Sequence, residues 1–195
     1  EAFRLIGSEQ IQGRASLGGN LCNGSPAGDS VPALIAAGCK AVIAGPGERK
    51  EIPIENFHLG PGKTILENGQ MLVSLKFPKR NKNSSDAYLR MTPRTEMDIA
   101  VVGCGVNISM DNGICTDARV SLGAVAPTPL LIKEATEIMI GSNLDENTLD
   151  EVSKICMDAC NPIDDKRGTI DYRTKVAGVL FKRATLTAVD RIRGN

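Results

Sequence analysis

Three observations predict an α+β fold in two domains. Residues 79–85 are Lys, Arg, Asn and Ser without one apolar side chain, and read as a solvated linker. Beyond it, two long apolar strands flank an Asp111-Asn112-Gly113 turn. Helical segments then run to the C-terminus. Strands followed by helices indicate an antiparallel sheet with helices on one face. The expected division is residues 1–80 and 86–195.

Taken in order, residues 1–12 are mixed and read as a helix end leading into a Gly-rich loop. Residues 32–37 form a short apolar helix closed by Gly38. Residues 39–44 are a compact strand, and 49–54 return after Gly45-Pro46-Gly47 with Ile52 and Ile54 alternating. Residues 57–64 are a loop, and 71–77 a strand ended by Pro78. In the second part, 99–110 and 114–122 are strands joined by Asn-Gly, which supplies the positive φ values of a tight hairpin. Helices are expected over 130–140, 149–160 and about 170–191, the first stopped by Gly141 and the second before Pro162.

Composition narrows the function. The 195 residues carry 23 basic and 23 acidic side chains, so net charge is zero and no basic field invites nucleic acid. Trp is absent and Tyr plus Phe number six, too little aromatic surface for base stacking. No apolar run approaches the roughly 20 residues of a membrane span. Cysteines 22, 39, 104, 115, 156 and 160 form no Cys-x-x-Cys pair, and His58 is the sole histidine. Reduced thiols in a cytoplasmic protein, with no bound metal, are expected.

Gly60-Pro61-Gly62-Lys63-Thr64 ends like a P-loop, but Phe57 stands where the first glycine belongs and a strand follows instead of a helix. The segment is a Gly/Pro turn. No G-x-G-x-x-G follows a strand, and neither Ser25 nor Ser30 has a motif linking it to a base. The informative stretch is Ser16-Leu17-Gly18-Gly19-Asn20, with Asp29 in Gly28-Asp29-Ser30-Val31-Pro32-Ala33. A glycine pair lets a ligand approach the backbone closely, and successive N–H groups in such a turn suit phosphate oxygens.

These two strings together resemble the second flavin-binding segment of the FAD-binding (medium) subunits of molybdenum hydroxylases, the xanthine and carbon monoxide dehydrogenase family. Arg94-Thr95-Glu96-Met97-Asp98-Ile99-Ala100, the stretch from Ala118 to Pro129, Pro162 to Gly168, and Tyr172-Arg173 resemble that family's C-terminal domain. The resemblance implies the C-terminal part of an FAD-binding domain of the vanillyl-alcohol-oxidase/xanthine-dehydrogenase type, then the small sheet-and-helix domain.

The cofactor implied is FAD. Ser16, Leu17, Gly18, Gly19 and Asn20 would cradle it, mainly at the pyrophosphate, and Asp29 would accept a hydrogen bond. Leu72 matches a position that meets the flavin. Arg90 matches a family position often held by Lys; a guanidinium there has different geometry. Arg119, Asp165 and Arg167 are expected to be structural or subunit-contact residues. The implied role is electron transfer: a molybdopterin-binding large subunit oxidises substrate, a 2Fe–2S small subunit relays electrons, and FAD passes them to NAD, quinone or oxygen. No residue of this chain need act as acid, base or nucleophile. The resemblance places a further Gly-rich FAD segment upstream of Glu1, so this sequence is expected to hold one half of the cradle. The competing expectation is a flavin-free scaffold contacting the same partner subunits.

Overall fold

A computed structural model describes residues 1–95 and 97–194. Glu96, within the charged string before the long strand, and Asn195 lie outside the described residues. The N-terminal part opens with a 3-10 turn, Ala2–Leu5, and three short helices: α1 (Glu9–Gln12), α2 (Leu17–Cys22) and α3 (Ser30–Ala36). Strands β1 (Lys40–Gly45) and β2 (Glu48–Pro53) follow, then the small hairpin β3 (His58–Gly60) and β4 (Lys63–Thr64), then β5 (Met71–Lys76). β1 lies between β2 and β5, antiparallel to both. Alternation puts Ala41 and Ile43 of β1 into a core with Leu21, Val31, Leu34, Ile35, Ile54 and Phe57.

The C-terminal part is a four-stranded antiparallel sheet in sequence order: β6 (Ser84–Met91), β7 (Val102–Asp111), β8 (Ile114–Gly123) and β9 (Leu130–Leu131). Asn112 and Gly113 both have positive φ in the expected hairpin, at 48° and 83°. Helices α4 (Lys133–Met139), α5 (Glu146–Asp158) and α6 (Ile170–Arg193) follow. Asp145 caps α5 by accepting from Thr148 N at 2.9 Å, and Thr169 caps α6 by accepting from Tyr172 N at 3.2 Å. Arg191 and Arg193 sit in the last turn of α6, where cations suit the helix dipole.

Several expectations needed correction. Residues 57–64 are not a plain loop, because β3 and β4 pair there, and Ser84 and Ser85 of the expected solvated linker are buried in β6. Residues 16–20 are not an open turn: they enter α2, because the Ser16 hydroxyl caps the helix through Gly19 N at 3.0 Å. Residues 130–140 are not helical throughout. Leu130 and Leu131 pair with Leu122 and Ser121, and this tertiary pairing delays the helix to Lys133. Strand β6 was not foreseen. Its face toward the N-terminal half carries Tyr88 and Arg90, which are buried by that half, so hydropathy hardly alternates along it.

The two faces of the larger sheet have different occupants. Cys104, Val106 and Ile108 of β7 pack with Val120 and Leu122 of β8 against Phe181, Ala184 and Ala188 of α6. The opposite face receives α3 from the N-terminal half. A methyl on Gly105 would lie 2.7 Å from the Pro32 carbonyl oxygen, and one on Gly123 would lie 2.6 Å from Pro32 Cγ. Only glycine permits so close an approach. Arg119 then clamps the joint: its Nε donates to Ile35 O at 3.0 Å and its Nη2 to Glu55 Oε1 at 3.1 Å. Asp165 accepts from Arg167 N at 2.8 Å and from Arg173 Nη2 at 2.7 Å. Arg173 is buried and also donates to Val101 O at 2.6 Å, so this loop is tied to the core of the domain.

Candidate functional site

The site begins at the first turn of α2. With Ser16 Oγ occupied by Gly19 N, and Asn20 N donating to Ser16 O, the N–H groups of Leu17 and Gly18 precede the helical ladder. Gly18 offers no side chain there, and Leu72 of β5 lies against it: a methyl on Gly18 would sit 3.3 Å from Leu72 Cδ2. Leu72 is half-buried and packs on the core of the N-terminal part. The structure thus brings Leu72 beside the glycine pair.

Asn20 ties this turn to the next helix. Its Oδ1 accepts from Ser30 Oγ at 2.6 Å and from Ser30 N at 3.4 Å. The far end of α2 is held by His58, whose Nε2 donates to Leu21 O at 2.7 Å. A carbonyl only accepts, so this contact fixes the proton on Nε2. The sole histidine therefore braces the fold.

Asp29 precedes α3, but its carboxylate does not cap that helix. It points to β6, where Oδ2 accepts from Arg90 Nη1 at 2.7 Å and Oδ1 from the Tyr88 hydroxyl at 3.0 Å. The Asp29 and Arg90 side chains are 8% and 5% exposed, so this ion pair is buried in the joint between the two parts. Burial pushes the Asp29 carboxyl above its usual range; the Arg90 charge and the Tyr88 hydrogen bond oppose that rise. Burial, with Asp29 alongside, pushes the Tyr88 phenol far up, so Tyr88 stays protonated and donates. Arg90 Nε and Nη2 hydrogen-bond to no other described residue.

Two of the expected residues, Asp29 and Arg90, therefore meet directly, although 61 positions apart. Tyr88 was missed. The available signal was its place two residues before Arg90, hence on the same face of any strand there. A cleft of about 830 Å3, bordered by Glu55, Phe77, Arg80, Asp117 and Arg119, contains none of the expected site residues. Among the described residues no group of His, Cys, Asp and Glu side chains is placed to hold a metal, and no helix is long and apolar enough to cross a membrane.

The sequence of residues 1–80 matches the FAD binding domain in molybdopterin dehydrogenase. Residues 87–188, more than half the chain, match the CO dehydrogenase flavoprotein C-terminal domain. The chain belongs to the CO dehydrogenase flavoprotein family. Within that family it is 31% identical to the xanthine dehydrogenase FAD-binding subunit of Escherichia coli O157:H7, over 96% of this chain and 65% of that one. It is 30% identical to the carbon monoxide dehydrogenase medium chain of Hydrogenophaga pseudoflava, over 94% of this chain and 64% of that one. Its fold superposes on a chain of the reconstituted CO dehydrogenase from Oligotropha carboxidovorans with a TM-score of 0.92 and 30% identity, over 96% of this chain and 65% of that one. The chain thus spans about 65% of the length of these relatives.

Proposed function

We propose that this chain is the FAD-holding, electron-transferring component of a molybdenum hydroxylase. The observations that carry the reading are a helix start with no side chain at Gly18 and Leu72 beside it, and a buried arginine with donors to spare, which Asp29 joins to α3 as Asn20 joins α2 to α3. The residues fit the cofactor's chemistry. Backbone N–H groups of Leu17 and Gly18 suit pyrophosphate oxygens, and the missing β-carbon at Gly18 lets Leu72 pack against that turn. Ser16 and Gly19 hold that turn through the cap. The free donors of Arg90 suit carbonyl or phosphate oxygens. Asn20 and Asp29 contribute by fixing the turn to α3 and α3 to β6.

When bound, FAD supplies the redox chemistry, taking electrons from 2Fe–2S clusters of a small subunit and delivering them to NAD, a quinone or oxygen. Substrate oxidation belongs to a molybdopterin-binding large subunit. This chain's residues bind and orient, and none transfers a proton.

The test is Gly19→Val in the complete subunit. A β-carbon at Gly19 would sit 3.0 Å from Ser16 Oγ, and the valine methyls would displace the cap. The variant should lose its flavin while the C-terminal sheet and helices stay folded by near- and far-ultraviolet circular dichroism. A variant with full flavin content would move the site elsewhere.

A further inference from the structure

We propose that Tyr88 is a positioning residue for the cofactor site, its hydroxyl holding the Asp29 carboxylate so that the spare donors of Arg90 are aimed at the flavin. This rests on the flavin reading above. Tyr88 is 5% exposed, and its ring stands over β7. The position of the hydroxyl is built in: a methyl on Gly103 would fall 2.6 Å from Tyr88 Oη. Gly103 pairs with Arg90 across the ladder, so one β7 residue both adjoins the arginine and makes room for the tyrosine.

The three side chains form a closed set. Asp29 has two oxygens, and each has one donor: Tyr88 on Oδ1 and Arg90 on Oδ2. Without the phenol, Oδ1 is a buried acceptor with no partner, and the carboxylate is free to rotate between its oxygens. Arg90 then follows it, because the bond from Nη1 to Asp29 is the one side-chain hydrogen bond it makes among the described residues. Tyr88 touches no ligand in this scheme and acts through Asp29.

The groups facing the pair are few. From β6 come Tyr88 and Arg90, and from the chain start Glu1, whose Oε2 accepts from Tyr88 N at 3.0 Å; the Cys104 thiol of β7 lies through the sheet on the α6 face. Tyr88 is one of the two groups that keep the Asp29 carboxyl from rising further. Removing the hydroxyl therefore raises that carboxyl, and Asp29 releases Arg90 at a higher pH as the solution is acidified.

The experiment titrates FAD into the flavin-stripped complete subunit as wild type, Tyr88→Phe and Gly103→Ala, across pH 4 to 8. Gly103→Ala displaces the hydroxyl without deleting it, and so decides the matter if Tyr88→Phe folds poorly. Both variants should bind FAD about tenfold more weakly, the size expected when a single hydrogen bond to a charged group is lost. The acid limb of binding should move to higher pH in both. A residue that served only to stabilise the fold would leave that limb unmoved. Wild-type affinity with a wild-type pH profile in a folded variant overturns the role of Tyr88. Failure of the wild-type subunit itself to bind FAD overturns the flavin reading instead.

Discussion

Gly105→Ala probes the joint on which the site depends. The added methyl would stand 2.7 Å from Pro32 O, 2.9 Å from Pro32 C and 3.2 Å from Ala33 N. All three are backbone atoms, so no rotamer change relieves the clash. Ordinary contact begins near 3.4 Å, and α3 must retreat by about 0.7 Å. A gap of that size forfeits between a quarter and a half of the dispersion energy along the face that opens. Overpacking of this kind costs about 1–3 kcal/mol. Alanine in place of glycine recovers roughly 0.5–1 kcal/mol in a strand, leaving a net loss of about 0.5–2 kcal/mol. For a chain of this size that lowers the melting temperature by about 1–8 °C, read by differential scanning calorimetry of the complete subunit. Gly60→Ala is the control, because nothing lies within 4 Å of a methyl there. A Gly105→Ala protein that melts with or above the wild type would refute direct α3-to-sheet packing.

Other outcomes follow from the same contacts. Asp29→Ala leaves the Arg90 guanidinium buried without its counter-charge and should destabilise the protein by about 3–5 kcal/mol in urea titration; a loss below 1 kcal/mol would mean the pair is solvated. Backbone and Arg173 hydrogen bonds hold the Asp165 carboxyl below its usual range. Its stabilisation is therefore complete above the ordinary aspartate value near 3.8 and is lost as pH falls through the lower folded value. Asp165→Asn should be less stable than wild type at pH 7, with the difference shrinking as the pH falls below the ordinary aspartate value; a difference that stays constant on acidification would contradict this. Burial pushes Cys39, Cys115 and Cys160 up to about 11 and Cys156 up to about 12, whereas Cys22 is exposed and raised less. A thiol reagent at pH 8 should label Cys22 first, the rest following only on unfolding.

Much of this fold was legible because its signals are local. The β7–β8 hairpin is written in Asn112-Gly113, and α5 and α6 in their apolar period, although the Asp145 cap that starts α5 at Glu146 instead of the expected 149 went unread. What stayed hidden depends on distant partners. β6 has one face buried by another part of the chain, so Tyr88 and Arg90 mask its alternation. β9 is a strand only because Ser121 and Leu122 pair with it. At the site, residue types pointed to a phosphate-binding turn, but the Ser16 cap that makes it a helix start required only a serine three places before Gly19. The Asp29–Arg90 contact was beyond reach, because nothing in either neighbourhood encodes a bond across 61 positions.

The central claim is that residues 16–20, Leu72 and the Asp29–Arg90 pair belong to an FAD site. Its most direct test is the ratio of released flavin to protein in the purified complete subunit, measured by visible absorbance. The account predicts an equimolar ratio with the flavin identified as FAD. A folded complete subunit that carries no flavin, and takes none up when FAD is supplied, would contradict it and leave a scaffold in its place.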